Sequence, residues 1–210
     1  MMTVLLIDDH DLIRAGLKHL LDASLGKMFV GEARNAEQAL ALVAQQSWDI
    51  AITDTSLPGR SGLDILGEFR ALRPKMPVLV ISALSEDEIA LRVLKSGAAG
   101  FVHKETSGDN LIDAIRKVLA GGKYVSPTLA EKLAMHMTAP PAEDPHKKLS
   151  NREYLVMTML AAGKTLTEIG KILSLSIKTI STYRSRILHK MQLDNNSELT
   201  RYALKHGLVD

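Results

Sequence analysis

Cysteine is absent from the 210 residues, which excludes disulfide staples, thiolate zinc sites and cysteine nucleophiles together and suits a reducing compartment. Seven dispersed histidines do not replace them. No run approaches the ~18 consecutive apolar residues of a membrane span. The N-terminus reaches Asp8 and Asp9 without a basic region or a small-residue cleavage site. The expectation is a soluble, cytoplasmic protein with no membrane partner. Internal repeats are lacking too. What is present has a globular balance, 46% hydrophobic and 24% charged, which argues against a disordered or collagen-like chain. The length fits two moderate domains better than one.

The net charge of +2 conceals an asymmetry. Residues 1–139 carry fifteen Lys/Arg against seventeen Asp/Glu, whereas residues 140–210 carry eleven against seven. An acidic first part and a basic second part suggest one module that handles cations and another that approaches an anion such as nucleic acid. The composition breaks at Thr138-Ala139-Pro140-Pro141-Ala142-Glu143-Asp144-Pro145, where three prolines and no apolar periodicity predict a semi-stiff linker. Just before it, Ser126-Pro127-Thr128 followed by Leu129–Met137 reads as a connecting helix with proline near its start.

Ahead of the break, short apolar runs alternate with amphipathic stretches. Thr3–Ile7, Met28–Ala33, Ile50–Thr53, Val78–Ser82 and Gly100–His103 read as strands, and Leu12–Leu21, Ala36–Gln46, Leu63–Arg73, Glu86–Ser96 and Asn110–Ala120 as helices. Strands without polar alternation are expected where helices cover both faces of a parallel sheet, so the fold class is α/β, doubly wound. In such sheets the site lies beyond the carboxyl ends of the strands. Strand one ends in Asp8-Asp9, strand three in Asp54, strand four in Ser82, and strand five leads to Lys104. Grouped carboxylates repel one another unless a cation is present. Three carboxylates, one Mg²⁺ and Lys104 sum to zero charge, and Mg²⁺ suits an oxygen ligand set that also shares phosphate oxygens. One carboxylate can then attack phosphorus, with Lys104 and the Ser82 hydroxyl positioning and neutralising the transferred group. Each residue alone has an ordinary explanation as a helix cap or a solvated side chain; their order on successive strand ends is what carries the reading.

Leu5-Leu6-Ile7-Asp8-Asp9-His10, Ile52-Thr53-Asp54-Thr55-Ser56-Leu57-Pro58-Gly59, Val80-Ile81-Ser82-Ala83 and Ala98-Ala99-Gly100-Phe101-Val102-His103-Lys104 resemble the receiver domain of two-component response regulators. The resemblance spans residues 3–121 and implies a flavodoxin-like sheet of five parallel strands. It implies that Asp54 is the phosphoacceptor, that Asp8, Asp9, Asp54 and the Ser56 main-chain carbonyl hold Mg²⁺, and that Ser82 and Lys104 bind phosphoryl oxygens. Phe101 matches the aromatic that changes rotamer with Ser82, as a dianionic group at Asp54 would draw Ser82 and Lys104 inward and open space for the ring. Two positions depart from the pattern: Glu105 stands where many receivers have proline, and Thr55-Ser56-Leu57 is atypical of its loop.

After the break strand signals are missing. Ser150-Asn151-Arg152-Glu153 and Thr165-Leu166-Thr167-Glu168 have the capping-box form, Gly163 and Gly207 sit where helices stop, and four helices are predicted over about 151–162, 166–173, 177–191 and 197–206. On a helical wheel Ile177, Ile180, Ile187, Leu188 and Met191 cluster on one side, while Lys178, Thr182, Ser185 and His189 fall on another, flanked by Ser181, Arg186 and Gln192. From Ile177 to Leu193 there is no acidic residue, which favours approach to phosphates. The preceding helix and the Ser174-Leu175-Ser176 connection complete a helix-turn-helix, whose second helix enters the major groove.

Leu149-Ser150-Asn151-Arg152-Glu153 and Glu168-Ile169-Gly170 through Met191 are similar to the LuxR-type module of the NarL/FixJ regulators, over residues 149–208. The resemblance implies that Ser181, Thr182 and Ser185 face bases and that Lys178, Thr179, Tyr183, Arg186 and Lys190 mostly face phosphates. The expected organisation is a receiver over 1–121, a connection over 122–148 and a small all-α four-helix domain over 149–210. Its expected partners are a sensor histidine kinase, whose phosphohistidine donates to Asp54, a two-fold site on double-stranded DNA, and a second copy of the chain when phosphorylated. Two rivals stand beside this reading. One is an aspartyl-phosphate phosphatase of the haloacid dehalogenase type, which wants a second Asp where Ser56 stands. The other is a DNA-binding protein whose receiver is an unphosphorylated scaffold.

Overall fold

A computed structural model describes residues 1–83, 86–131 and 144–209, with the side chains of residues 86–88 excepted. The chain divides into two compact units, Met1–Ala134 and Met135–Asp210. In the first, strands and helices alternate: β1 (Thr3–Ile7), α1 (Asp11–Leu25), β2 (Phe29–Ala33), α2 (Ala36–Gln45), β3 (Ile50–Asp54), α3 (Leu66–Leu72), β4 (Val78–Ser82), α4 (Glu86–Lys95), β5 (Gly100–His103) and α5 (Gly108–Leu119). All pairings are parallel and the strand order is β2-β1-β3-β4-β5. This is the doubly wound sheet that near-continuous apolar strands predict: β3 and β4 are buried at every residue, because neither face is left to water. One face carries Val4, Leu6, Ile50, Ile52, Leu79, Ile81 and Val102 into a core with Leu21 of α1 and Leu111, Ile112, Ile115 and Val118 of α5.

The register sets the strand ends beside one another. Asp54 of β3 lies opposite Ile81 of β4, and Ser82 opposite His103 of β5, so Ser82 and Lys104 close the same rim. The order reverses between β1 and β3, the switch point at which sheets of this kind bind ligands. Helix α3 starts at Leu66, three residues later than the pattern of apolar residues predicts. The reason is a turn in which the Asp64 N–H donates to the Ser61 carbonyl (3.0 Å), while the Ser61 hydroxyl donates to the Thr55 carbonyl (3.0 Å). That contact holds Ser61 against the end of β3 and out of a helix. After α5, residues 127–131 are helical, with the Ser126 hydroxyl accepting from the Leu129 N–H at 3.1 Å. The rest of the expected connecting helix and nearly all of the proline-rich segment, residues 132–143, lie outside the described residues.

The second unit opens with a 3-10 turn (Pro145–Lys148), followed by α6 (Asn151–Ala161), α7 (Leu166–Ile172), α8 (Ile177–Met191) and α9 (Asn196–Lys205). All four predicted helices are present to within a residue or so. Both capping boxes form, Ser150 with Glu153 and Thr165 with Glu168, and they satisfy the first amides of α6 and α7. Helix α6 is buried along nearly its whole length because α8 and α9 both pack on it. The turn before α8 is tight: the Leu175 N–H donates to the Gly170 carbonyl (2.8 Å), and a Cβ on Gly170 would stand 2.8 Å from the Leu175 carbonyl oxygen. Only glycine lets α7 and this turn approach so closely.

Candidate functional site

The rim of the first unit gathers two of the residues predicted for it, Asp54 and Asp8, around the Lys104 ammonium. Lys104 Nζ donates to Asp54 Oδ2 at 2.8 Å and to Asp8 Oδ2 at 2.9 Å. Asp8 and Asp54 are almost fully buried. Burial pushes the Asp54 carboxyl above its ordinary range; Lys104 and the Ser56 N–H pull it back, while Asp8 adds to the rise. Burial acts on Lys104 in the opposite sense, but Asp54 and Asp8 outweigh it and hold the ammonium above its usual value. Asp9 completes the acidic group: oxygens of Asp8, Asp9 and Asp54, with a His10 nitrogen, lie within 4.8 Å of one another. Asp9 Oδ1 is buried and accepts no hydrogen bond, although His10 Nδ1 stands 3.0 Å away without the geometry of one. Converging carboxylates with an unsatisfied buried oxygen are the donor set that a hard divalent cation takes.

Ser82 is fully buried, and its Oγ lies 2.9 Å from Thr55 Oγ1, which donates to Asp54 Oδ1 at 3.3 Å. The strand-four hydroxyl is thus joined to the Asp54 carboxylate through Thr55. The Phe101 ring is buried at 1% exposure. Every described peptide bond is trans, that between Lys104 and Glu105 included.

Four further residues, assigned no role in the site from the sequence, shape this rim. Arg14, on the first turn of α1, is buried and donates to the Asp8 main-chain carbonyl at 2.6 Å and to Glu32 at 3.0 Å, besides pairing with Asp11. It fixes the backbone that carries the acidic pair. His10 donates its N–H to Asp8 Oδ1 at 2.8 Å and sets its Nδ1 3.0 Å from both Asp8 Oδ1 and Asp9 Oδ1. Thr55 supplies the hydroxyl link just described. Gly62 donates its N–H to the Thr55 carbonyl at 3.1 Å and presses so close that a Cβ would lie 1.9 Å from the Asp54 carbonyl oxygen. The strict apolar run before Asp54 flags none of these, although the rare Thr55-Ser56 pair after it marks the place to look.

In the second unit, Ile180, Ile187, Leu188 and Met191 form the buried face of α8. Ile177 departs from the wheel: it is 52% exposed, because at the first helical position it overhangs the bundle. Lys178, Thr182, Ser185, Arg186 and Lys190 are exposed, and Thr179, Ser181 and Tyr183 are half-buried. The Thr182 and Ser185 hydroxyls donate to the carbonyls of Lys178 and Ser181, at 3.0 and 3.2 Å, the resting bond of a helical hydroxyl without another acceptor. Lys190 has an intramolecular partner: its Nζ lies 2.6 Å from Glu153 Oε2. Burial alone would raise the Glu153 carboxyl, but the bonds from Lys190 and Ser150 bring it below its ordinary value. Arg184, which lies near the apolar side of the wheel, donates from Nε to Asn196 Oδ1 at 2.7 Å and ties α8 to the start of α9. Arg152 donates to the Leu173 carbonyl at 3.1 Å from a buried position, closing the end of α7.

No helix among the described residues is long and apolar enough to cross a membrane. Residues 4–116 match the response regulator receiver domain, and residues 147–203 match the bacterial regulatory proteins of the luxR family. The chain is 36% identical over 211 residues to the response regulator GacA of Pseudomonas aeruginosa, with 100% of this chain and 99% of the relative covered. It is 33% identical over 211 residues to the response regulator UvrY of Escherichia coli, covering 100% and 97%. Among solved structures it is similar to RcsB of Salmonella enterica serovar Typhimurium bound to promoter rprA in the presence of the phosphomimetic BeF3−, with a TM-score of 0.65 and 27% identity over 96% of this chain and 97% of that one. These are regulators of transcription and not classical enzymes, which removes the phosphatase alternative. The chain belongs to the two-component response regulators of the NarL/FixJ family, phosphorylation-dependent regulators of transcription in which a receiver is joined to a LuxR-type DNA-binding domain.

Proposed function

We propose that Asp54 is the phosphoacceptor, and that the observation carrying this is the double contact of Lys104 with Asp54 and Asp8 beside a hydroxyl chain to Ser82. An Asp54 carboxylate oxygen attacks phosphorus, the phosphorus–nitrogen bond of the kinase phosphohistidine breaks, and the imidazole leaves with the bonding pair and takes up a proton. A small phosphodonor serves in place of the kinase, so the receiver catalyses its own phosphorylation. Asp8, Asp9, Asp54 and the Ser56 main-chain carbonyl would hold Mg²⁺, which supplies neutralisation of charge on the phosphoryl oxygens. Lys104 and Ser82 bind those oxygens, and Phe101 moves into the space that Ser82 leaves.

In the second domain Ser181, Thr182 and Ser185 face bases, while Lys178, Thr179, Tyr183 and Arg186 face phosphates, with Lys190 divided between a phosphate and Glu153. The receiver occupies 1–121 and the DNA-binding domain 149–210, joined through 122–148, of which Pro145–Lys148 packs as the first turn of the second unit. The protein acts in the cytoplasm as a dimer on two-fold DNA.

The test is incubation with acetyl phosphate in Mg²⁺, read by intact mass and by sedimentation, for the wild type and Asp54→Asn. A one-phosphate gain that needs Asp54 and moves the protein towards dimer is the expected result. Equal labelling of Asp54→Asn, or no labelling of the wild type, refutes it and leaves the receiver as an unphosphorylated scaffold.

A further inference from the structure

Away from the acidic rim, the second unit brings two histidines and an aspartate to one point. Oxygen and nitrogen atoms of Asp144, His146 and His206 lie within 4.8 Å of one another. The three come from opposite ends of the unit: Asp144 and His146 flank the start of the 3-10 turn, and His206 caps the C-terminal end of α9. We propose that this group is a binding site for a divalent transition-metal ion of the zinc class, which staples the entry of the DNA-binding domain to its last helix.

The arrangement has the parts that such a site needs. Two imidazoles and one carboxylate are a ligand set that Zn²⁺ accepts, with open positions left for water, whereas Mg²⁺ prefers oxygen alone. The two oxygens of Asp144 are divided: Oδ2 pairs with Lys147 at 2.8 Å, and Oδ1 faces His206 Nδ1 at 3.7 Å. His146 is buried, and its Nδ1 meets the Tyr202 hydroxyl at 2.7 Å, which fixes the ring and directs Nε2 as the ligating nitrogen. Tyr202 also stacks on the His206 ring, with centroids 4.2 Å apart and planes at 24° to one another. One tyrosine therefore orients both imidazoles.

Ligands at ~2.1 Å from a tetrahedral ion stand ~3.4 Å apart, so separations within 4.8 Å close by a side-chain movement of about 1 Å. The residues free to make that movement are the outer two, since the side chains of His206 and Asp144 keep 30% and 19% of their exposure.

The experiment titrates the full-length chain with zinc chloride in Mg²⁺-containing buffer, followed by calorimetry and by the ring ¹⁵N resonances of the histidines. In the wild type, His146 and His206 are expected to shift together and to saturate, with no response to added Mg²⁺. His206→Gln and Asp144→Asn change the outer ligands and leave buried His146 in place; each should weaken uptake at this site by at least ~10-fold, and Tyr202→Phe, which keeps the stacked ring, by ~10–100-fold. Response of the His10 resonance alone would put the zinc on the acidic rim and overturn the proposal. So would binding of the same stoichiometry and affinity in the wild type and both outer-ligand variants.

Discussion

Adding one methyl group at Gly62 should damage the acidic rim more than any other alanine substitution of its size nearby. The new Cβ would lie 1.9 Å from the Asp54 carbonyl oxygen, 2.9 Å from Thr53 Oγ1 and 3.0 Å from the Asp54 carbonyl carbon. A tolerable carbon–oxygen contact is ~3.3 Å, so the two must part by about 1.4 Å. Either Ser61 and Gly62 lift away from the end of β3, which breaks their bonds to the Thr55 carbonyl, or the end of β3 moves and takes Asp54 with it. Overpacking of this kind costs about 1–3 kcal/mol, and a lost hydrogen bond adds about 1 kcal/mol, for an expected loss of about 2–4 kcal/mol. A reacting group displaced by ~1 Å loses on the order of 10²-fold in rate. Gly67 supplies the control: it lies in α3, with nothing within 4 Å of its Cβ position, so Gly67→Ala should be neutral or stabilising by up to ~1 kcal/mol. Urea midpoints and initial rates of phosphoryl uptake from acetyl phosphate read both variants. A Gly62→Ala protein with the wild-type midpoint and rate, or a Gly67→Ala protein that loses as much, would refute the steric argument.

Four further outcomes follow from the charges. Burial raises the Asp54 carboxyl, so from its ordinary value of 3.8 up to the raised folded value the folded chain holds that proton more tightly than the unfolded one, a contribution to stability that is present at low pH and lost as pH rises through the folded value. Asp54→Asn removes that loss, and its melting temperature should gain on the wild type as pH rises above the ordinary carboxyl value of 3.8; melting curves that stay parallel as pH rises from there would contradict the direction of the shift. Lys104→Met leaves Asp8 and Asp54 buried without their cation and should cost about 3 kcal/mol in chelated neutral buffer, less in acid where a carboxyl protonates, as urea denaturation at the two pH values will report. Lys178→Ala should leave stability unchanged while lowering the salt slope of DNA binding by ~0.9 for its phosphate. Lys190→Ala should instead lose up to about 1 kcal/mol of stability, because Glu153 of the capping box loses its partner.

Much of the receiver was legible because a parallel sheet writes itself plainly. Apolar runs alternate with helices, each run ends in a polar residue, and the topology does the rest, so Asp8, Asp9, Asp54, Ser82 and Lys104 could be placed on one rim without coordinates. What escaped were contacts decided by depth and by approach between distant backbones. Arg14 looks like one more cation on an amphipathic helix, and nothing local indicates that it reaches the Asp8 carbonyl. Gly62 sits in a stretch rich in turn formers, where a glycine has a sufficient local explanation, yet its need for space is set by the strand eight residues earlier. The late start of α3 has the same origin, since the Ser61 hydroxyl answers to Thr55 and not to the helix that follows. Ile177 shows the limit of a wheel, which records angle around an axis but not whether a neighbour extends far enough along it to cover the residue.

The same limit bears on the DNA-facing helix, and there it changes the energetic reasoning. Counted along α8 alone, no acidic residue opposes its cations; in the folded domain Glu153 of α6 comes to Lys190 and takes up part of that charge. Lys178 and Arg186 are then the exposed basic side chains of the helix directed to no carboxylate among the described contacts. Each phosphate neutralised contributes a slope of about −0.9 in the logarithm of affinity against salt, so one domain with so few cations has only a weak electrostatic hold. On the proposed reading, the short hydroxyl side chains of Ser181, Thr182 and Ser185 would add only modest contacts to base edges, since none offers the bidentate pairing that discriminates strongly. Affinity therefore has to come from joining two such domains, which turns the second binding event into an intramolecular one. A receiver that controls dimerisation then controls DNA occupancy without altering a single contact between α8 and the groove.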